Sequence, residues 1–315
     1  MRAFIFPGQG SQDVGMGKLL AERFSCAKNI FDEVDEALSD KLSSTMWNGP
    51  KDTLTLTHNA QPALFAVSMA VIEVLKREYG ISLKYAVKYV AGHSLGEYSA
   101  LTAAGTFSIR DAARLLRARG EAMQKAVPFG KGAMIALLGV GVDLAEEIAK
   151  KAAQGDVCQI ANDNDPTQVV LSGAKTAIDR VSEFSRSYGV RRAIILPVSA
   201  PFHCSLMEPA ARVMEEKLTN MKMEQPVVPV ISNVTATPVC NTEILRSQLV
   251  EQVTGTVLWR QCVLTMIADG VNEFYEIGVG KVLCGLIGRI DNSVKSVPCG
   301  TPQQIAAVAE MISAE

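Results

Sequence analysis

The sequence predicts an α/β fold in which a parallel sheet is interrupted by a smaller, self-contained βαββαβ unit. Three observations carry this expectation. An apolar strand runs into a glycine turn twice, at 3–10 and at 87–96, and helical spacing follows. Between 130 and 197 the rhythm changes to strand, helix, strand, strand, helix, strand. Beyond 197, apolar stretches at 227–231 and 273–277 supply further strands expected to return to the first sheet.

Taken in order, residues 3–6 (AFIF) form the first strand, which stops at Pro7-Gly8-Gln9-Gly10. Residues 61–78 carry apolar side chains at helical spacing without glycine and predict a buried helix. Residues 87–91 form the next strand, and 95–104 the helix after it. Within the central unit, 133–140 is a strand, and 143–153 a helix that Asp143 is suited to cap. Strands 157–162 and 168–173 are joined by the turn-formers Asp163-Asn164-Asp165-Pro166. A helix at 175–188 and a strand at 192–196 complete it. That order is the split pattern of ferredoxin-like domains. The expected organisation is a discontinuous large domain over 1–128 and 198–315, with 129–197 as the insert.

Composition narrows the function. The 315 residues are 48% hydrophobic and 20% charged, with a net charge of −2, which argues against a broad nucleic-acid-binding surface. Seven scattered cysteines, odd in number and without a C-x-x-C pair, argue for reduced thiols and against a disulfide framework or zinc cluster. The N-terminus shows no cationic segment leading into an apolar run, and no apolar run reaches the roughly 18 residues that span a bilayer. A cytoplasmic protein with no membrane or nucleic-acid partner is expected, with a monomer as the default assembly.

The chemistry begins at Gly92-His93-Ser94-Leu95-Gly96, which fits G-x-S-x-G. That pattern takes a strand sharply into a helix and leaves the serine hydroxyl at the tip, as in α/β-hydrolase-like sheets. A serine nucleophile needs a base, and the chain has three histidines. His93 adjoins Ser94, and adjacent side chains diverge at a tight turn. His58 opens a helix, where capping or surface placement is the plainer role. His203 follows the strand that closes the insert, in a loop at a strand end, and is the favoured base. Asp156, Asp163, Asp165 and Asp179 lie between the two in sequence, but all fall in the insert, so a dyad without a triad acid is expected.

One cation stands apart. Ala112, Leu115, Leu116, Arg119 and Met123 share one helix face, while Arg110, Arg114 and Arg117 take the opposite, solvated one. Arg119 therefore points inward and needs an anion. An internal salt bridge and a clamp for a substrate carboxylate both remain open. The Pro7–Gly10 turn lacks the third glycine of a dinucleotide fingerprint, Asp13 standing there instead, and suits an oxyanion better than a pyrophosphate.

PGQGSQ at 7–12, GHSLGEYSA at 92–100, RARG around Arg119, APFH ending at His203 and LVEQ ending at Gln252 together resemble the malonyl-CoA:acyl-carrier-protein transacylases of bacterial fatty acid synthesis. The likeness runs through essentially the whole chain. It implies an acyltransferase with Ser94 as nucleophile, His203 as base and the backbone amides of Gln9 and Leu95 as oxyanion hole. It further implies that Arg119 grips the malonyl carboxylate and that the Gln252 carbonyl orients the histidine. The implied substrates are malonyl-CoA and holo-acyl carrier protein, with no cofactor and no metal. Phe202 is like the residue of malonyl-selective relatives and would crowd an α-methyl group. The chain departs from the family's G-P-G-K in having Gly278-Val279-Gly280-Lys281. A serine hydrolase or thioesterase of the same fold, or an acyltransferase serving a polyketide pathway, is the alternative. An acidic carrier protein implies a basic docking surface. Arg110, Arg114 and Arg117, with Lys125 and Lys131 beyond, form one candidate, and Arg186, Arg191 and Arg192 another.

Overall fold

The computed structural model describes residues 1–198 and 200–314. Among the described residues, ten strands form two sheets: β1 (Arg2–Phe6), β2 (Tyr89–Gly92), β3 (Gly132–Leu138), β4 (Cys158–Asp165), β5 (Gln168–Ala174), β6 (Arg192–Ile195), β7 (Val230–Ile231), β8 (Pro238–Val239), β9 (Glu273–Ile277) and β10 (Lys295–Cys299). The larger sheet has the order β10-β9-β1-β2-β7-β8 and is parallel except where β8 turns back on β7. The smaller has the order β4-β5-β3-β6, antiparallel throughout. The strands expected at 227–231 and 273–277 do join the large sheet, the first shortened to Val230–Ile231.

Alternation along β1 divides the large core. Phe4 and Phe6 point to the face covered by the Thr57–Tyr79 and Leu95–Ala103 helices. Ala3 and Ile5 point to the face covered by Trp259–Ala268 and Val282–Ile290. The Thr57–Tyr79 helix is buried on nearly every side over its first turns, as its continuous apolar sequence requires. A third cluster, including Ile135, Leu137 and Leu171, packs the small sheet against the Val142–Ala153 and Lys175–Phe184 helices.

Parallel register between β1 and β2 pairs Phe6 with Gly92, so the Pro7–Gly10 turn and the serine elbow emerge side by side at the carboxyl ends of their strands. The elbow is too tight for side chains at either glycine. A Cβ on Gly92 would lie 1.9 Å from the Gly96 carbonyl carbon, and one on Gly96 would lie 2.3 Å from the Phe6 oxygen.

Three local expectations need correction. The cap residue of the Val142–Ala153 helix is Gly141, and Asp143 lies in the first turn without capping it. Asp163, Asn164 and Asp165 belong to β4 rather than to a turn. They are buried, and partners elsewhere satisfy them: Arg260 and Arg289 bind the two aspartates, and His93 Nε2 lies 2.9 Å from Asn164 Oδ1. The helix expected at 175–188 ends at Phe184 and tightens into a 3₁₀ turn over Ser185–Tyr188. Among the described residues, no helix is long and apolar enough to cross a membrane.

Candidate active site

Ser94 sits between β2 and the Leu95–Ala103 helix with φ 53° and ψ −110°, a strained backbone for a residue with a side chain. Asn233, in the loop after β7, holds it there. Its Oδ1 accepts from the Ser94 amide at 2.8 Å, and its Nδ2 donates to the Gly92 carbonyl at 2.7 Å. The hydroxyl meets His203, which also has a positive φ of 59°, with Oγ 2.8 Å from Nε2. His203 Nδ1 lies 2.8 Å from the Gln252 carbonyl. A carbonyl can only accept, so Nδ1 carries the proton and Nε2 presents its lone pair to Ser94. Among the described residues no carboxylate touches the imidazole, and the structure brings together the Ser94 and His203 side chains that the sequence analysis paired. Burial and then the Arg119 charge push His203 down to about 3, against the Gln252 and Gly255 carbonyls, which favour its protonated form.

Arg119 comes from the Ile109–Lys125 helix, which packs closely on the Thr57–Tyr79 helix because residue 120 is glycine. A Cβ there would lie 2.5 Å from the His58 Cα. The guanidinium is 1% exposed and meets only neutral acceptors. Nη1 donates to Gln61 Oε1 at 2.8 Å, and Nη2 donates to Gln252 Oε1 at 2.9 Å and to Ser94 Oγ at 3.0 Å. The Tyr98 ring lies 5.6 Å beneath it, and Nε has no partner among the described residues. The internal salt bridge left open by the sequence is absent among the described residues. Of the three arginines assigned to the solvated face, Arg110 and Arg114 are exposed. Arg117 is half-buried and bound to Asn59 and Asp40.

Gln252 does more than its backbone position suggests. Its Nε2 faces Ser94 O at 3.0 Å, Glu97 Oε2 at 2.7 Å and Asn233 Oδ1 at 3.2 Å, while its Oε1 faces Arg119. An obligate donor on one side and an obligate acceptor on the other fix which way the amide points. Glu97 is 1% exposed, and burial pushes its carboxyl up to about 7.

Ser94, His203, Arg119, Gln9, Leu95 and Phe202 line one cavity of about 390 Å³. Among the described residues neither the Gln9 nor the Leu95 amide donates to a protein acceptor, whereas the Ser94 amide is taken by Asn233. A larger cleft of about 550 Å³, beside Gly278–Lys281 and Thr301, gathers none of these groups. The cavity can therefore support nucleophilic attack by Ser94 on a carbonyl beside a buried cation. Gln61, Asn233, Glu97 and the Gln252 side chain escaped the sequence reading. Gln61 and Glu97 carried the signal that exposed Arg119, a polar residue on an apolar helix face. Asn233 carried none.

Comparison with known proteins agrees with the geometry. The acyl transferase domain profile matches residues 3–296. The chain is 44% identical to the malonyl CoA-acyl carrier protein transacylase of Bacillus subtilis, over 99% of this chain and 98% of that one. The crystal structure of the acyl-carrier-protein S-malonyltransferase from Bartonella henselae superimposes with a TM-score of 0.97 at 52% identity, covering 99% of each chain. A type II PKS acyl-carrier protein in complex with its malonyl-transacylase matches with a TM-score of 0.95 at 37% identity, over 98% of this chain and 99% of that one. With likeness of this extent in sequence and in fold, the chain belongs to the acyl transferase family, among its malonyl-CoA–acyl carrier protein transacylases.

Proposed function

We propose that the protein transfers a malonyl group from malonyl-CoA to the phosphopantetheine thiol of holo-acyl carrier protein, through a malonyl ester on Ser94, for fatty acid synthesis. One observation carries this reading: the Ser94–His203–Gln252 chain and a buried guanidinium with no carboxylate partner share one pocket.

In the first half-reaction, His203 Nε2 takes the Ser94 proton as Oγ attacks the thioester carbonyl. The oxyanion forms between the free amides of Gln9 and Leu95, each worth about 3–4 kcal/mol in comparable sites. The C–S bond then breaks, and His203 returns the proton to coenzyme A. In the second half, the carrier thiol gives its proton to the same nitrogen and attacks the ester; the C–O bond breaks and Ser94 leaves with that proton. A neutral carbonyl behind the imidazole suits exchange between thioester and ester, whose leaving group departs more readily than an amine. The malonyl carboxylate takes Arg119, whose Nε is unfilled, and draws it off Ser94 Oγ. It also neutralises the Arg119 charge, which adds to burial in holding His203 down, so the dicarboxylic substrate strengthens its own base. An acetyl group does neither. Phe202 supports a preference for an unbranched acyl unit. No step draws on a cofactor or metal.

We read the architecture as an α/β-hydrolase-like domain over 1–128 and 198–315, carrying a ferredoxin-like insert over 129–197. The four-stranded order β4-β5-β3-β6 supports the second half of that reading. Seven free cysteines support a reducing, cytoplasmic setting. For the acidic carrier protein, the two basic clusters differ. Arg110 pairs with Glu33 and Glu36, Arg114 with Asp111, and Arg117 with Asp40. Arg186, Arg191 and Arg192 are exposed, with no carboxylate partner among the described residues. They flank the edge strand β6, which exposes Ile194 and Ile195 and leads into Leu196–Val198 at the pocket. This second cluster is the better dock.

The test is intact mass after mixing with malonyl-CoA alone. The wild type is expected to gain one malonyl increment and Ser94→Ala none. An unmodified wild type would overturn the reading, and release of free malonate at the rate of transfer would make the protein a thioesterase.

A further inference from the structure

Glu97 is a buried acid for which the proposed chemistry has no use. It lies in the first turn of the helix that follows Ser94, 1% exposed, with no cation in contact among the described residues. Its Oε2 accepts from Gln252 Nε2 at 2.7 Å and from the Asn233 amide at 3.2 Å. Its Oε1 is buried with no partner among the described residues. A carboxylate held this way is expensive unless a nearby positive charge compensates it. The nearest candidate is Arg119, one residue away through the Gln252 side chain, whose Oε1 accepts from Nη2 while its Nε2 donates to Glu97. Arg119 has the complementary deficit, a buried cation touching only amides and a hydroxyl. Each is the other's charge balance, relayed by one amide rather than by contact.

We infer that Glu97 is the internal counter-anion of Arg119 in the free enzyme, and that it takes up a proton when the carboxylate of the acyl group replaces it. The inference rests on the malonyl reading of the pocket. A second anion entering this enclosed space leaves two carboxylates sharing one cation, and one of them must neutralise. The acyl carboxylate lies against the guanidinium itself, so the relayed one yields. Oε1 offers a place for the proton that leaves the two hydrogen bonds on Oε2 intact. The other titratable groups around Glu97 do not compete for it. Burial makes Tyr98 on the same helix and Cys262 on the Trp259–Ala268 helix weaker acids, so each already holds its proton near neutrality. Arg119, on the Ile109–Lys125 helix, is the cation itself. Glu97 acts through Gln252 and is a positioning residue: the same amide that senses its charge belongs to the residue whose carbonyl holds His203.

Acyl exchange between serine and a protonated thiol neither consumes nor releases a proton, so any uptake belongs to the protein. Enzyme in excess over malonyl-CoA is mixed in weak buffer, protons are counted with an indicator dye, and malonyl-serine is counted by intact mass in the same samples. At pH 7.5 the wild type is expected to take up roughly half a proton or more per adduct, as for an acid that titrates near 7 when free and well above it when acylated. Uptake should grow from pH 6 to 8, because below 7 Glu97 is already protonated. His203, starting near 3, would show uptake that grows as pH falls. Glu97→Gln should acylate without uptake. Adduct without uptake in the wild type, uptake with the acid-side trend, or full uptake in Glu97→Gln would each overturn the inference while leaving the malonyl reading in place. Absence of the wild-type adduct would overturn both. The wild-type pH trend decides the matter even if the variant does not fold.

Discussion

At the seam between the two sheets, Asp163 and Asp165 are fully buried, and each meets an arginine directly. Asp163 binds Arg260 through both oxygens at 2.9–3.1 Å, and Asp165 binds Arg289 at 2.7 Å. The arginines keep one side in water, their side chains 25% and 48% exposed. In the catalytic pocket the same two kinds of group are buried and kept apart, with a glutamine amide between them. The seam uses charge to hold β4 against the Trp259–Ala268 and Val282–Ile290 helices that cover the large sheet. The pocket leaves a guanidinium without a carboxylate partner among the described residues, which is what the malonyl reading requires. In these two places, the buried charge with a direct counter-ion belongs to the frame, and the guanidinium without one faces the pocket.

The largest effect should come from breaking the pocket's side of this contrast. Arg119→Ala is expected to lower kcat/KM for malonyl-CoA by about 2–4 kcal/mol, roughly 30- to 1000-fold, with little change for acetyl-CoA. Competition between the two thioesters, read as acyl-enzyme masses, measures the ratio directly. An unchanged malonyl-to-acetyl ratio would mean that Arg119 is frame after all.

Stability should show the opposite ordering. Arg260→Ala leaves Asp163 buried and unpaired, and is expected to cost about 3 kcal/mol by denaturant titration. Asp163→Asn should cost less, about 1–2 kcal/mol, because Arg260 can turn back into water. Arg119→Met should be near neutral, since Glu97 can keep a proton once its cation is gone and losing a desolvated charge offsets the orphaned oxygens of Gln61 and Gln252. A destabilisation by Arg119→Met as large as that by Arg260→Ala would erase the distinction.

The contrast also marks what the sequence could tell. Helical spacing places Arg119 inside, because periodicity reports which face a residue occupies. It cannot report what waits there. The hydrogen-bond partners of the Arg119 guanidinium lie 25, 58 and 133 positions away, and nothing local announces them. Ser94 was legible because its backbone demand writes glycines around it, and His203 because only three histidines compete. Gln252 was reached only through resemblance, since a residue acting by its carbonyl leaves no side-chain signature, and its amide was missed altogether. By residue type alone, Asp163 to Asp165 read as a turn. Their long-range partners reversed that preference, as Arg260 and Arg289 made a buried strand of acids tolerable.

The smallest expected effect concerns charge at the surface, where the same rule applies in weaker form. Paired arginines on the Ile109–Lys125 helix have little attraction left to offer a partner, whereas Arg191 and Arg192 have theirs intact. Reversing Arg191 and Arg192 together to glutamate is expected to raise KM for the carrier protein roughly three- to tenfold, with kcat little changed. Reversing Arg110 and Arg114 should do less. Added salt should raise the wild-type KM for the carrier and leave the Arg191/Arg192 variant nearly flat, because solvent-exposed attraction is what salt screens. Should KM for malonyl-CoA rise while that for the carrier holds, the two arginines serve the coenzyme's phosphates instead. The edge strand β6 would then guide the nucleotide rather than the protein.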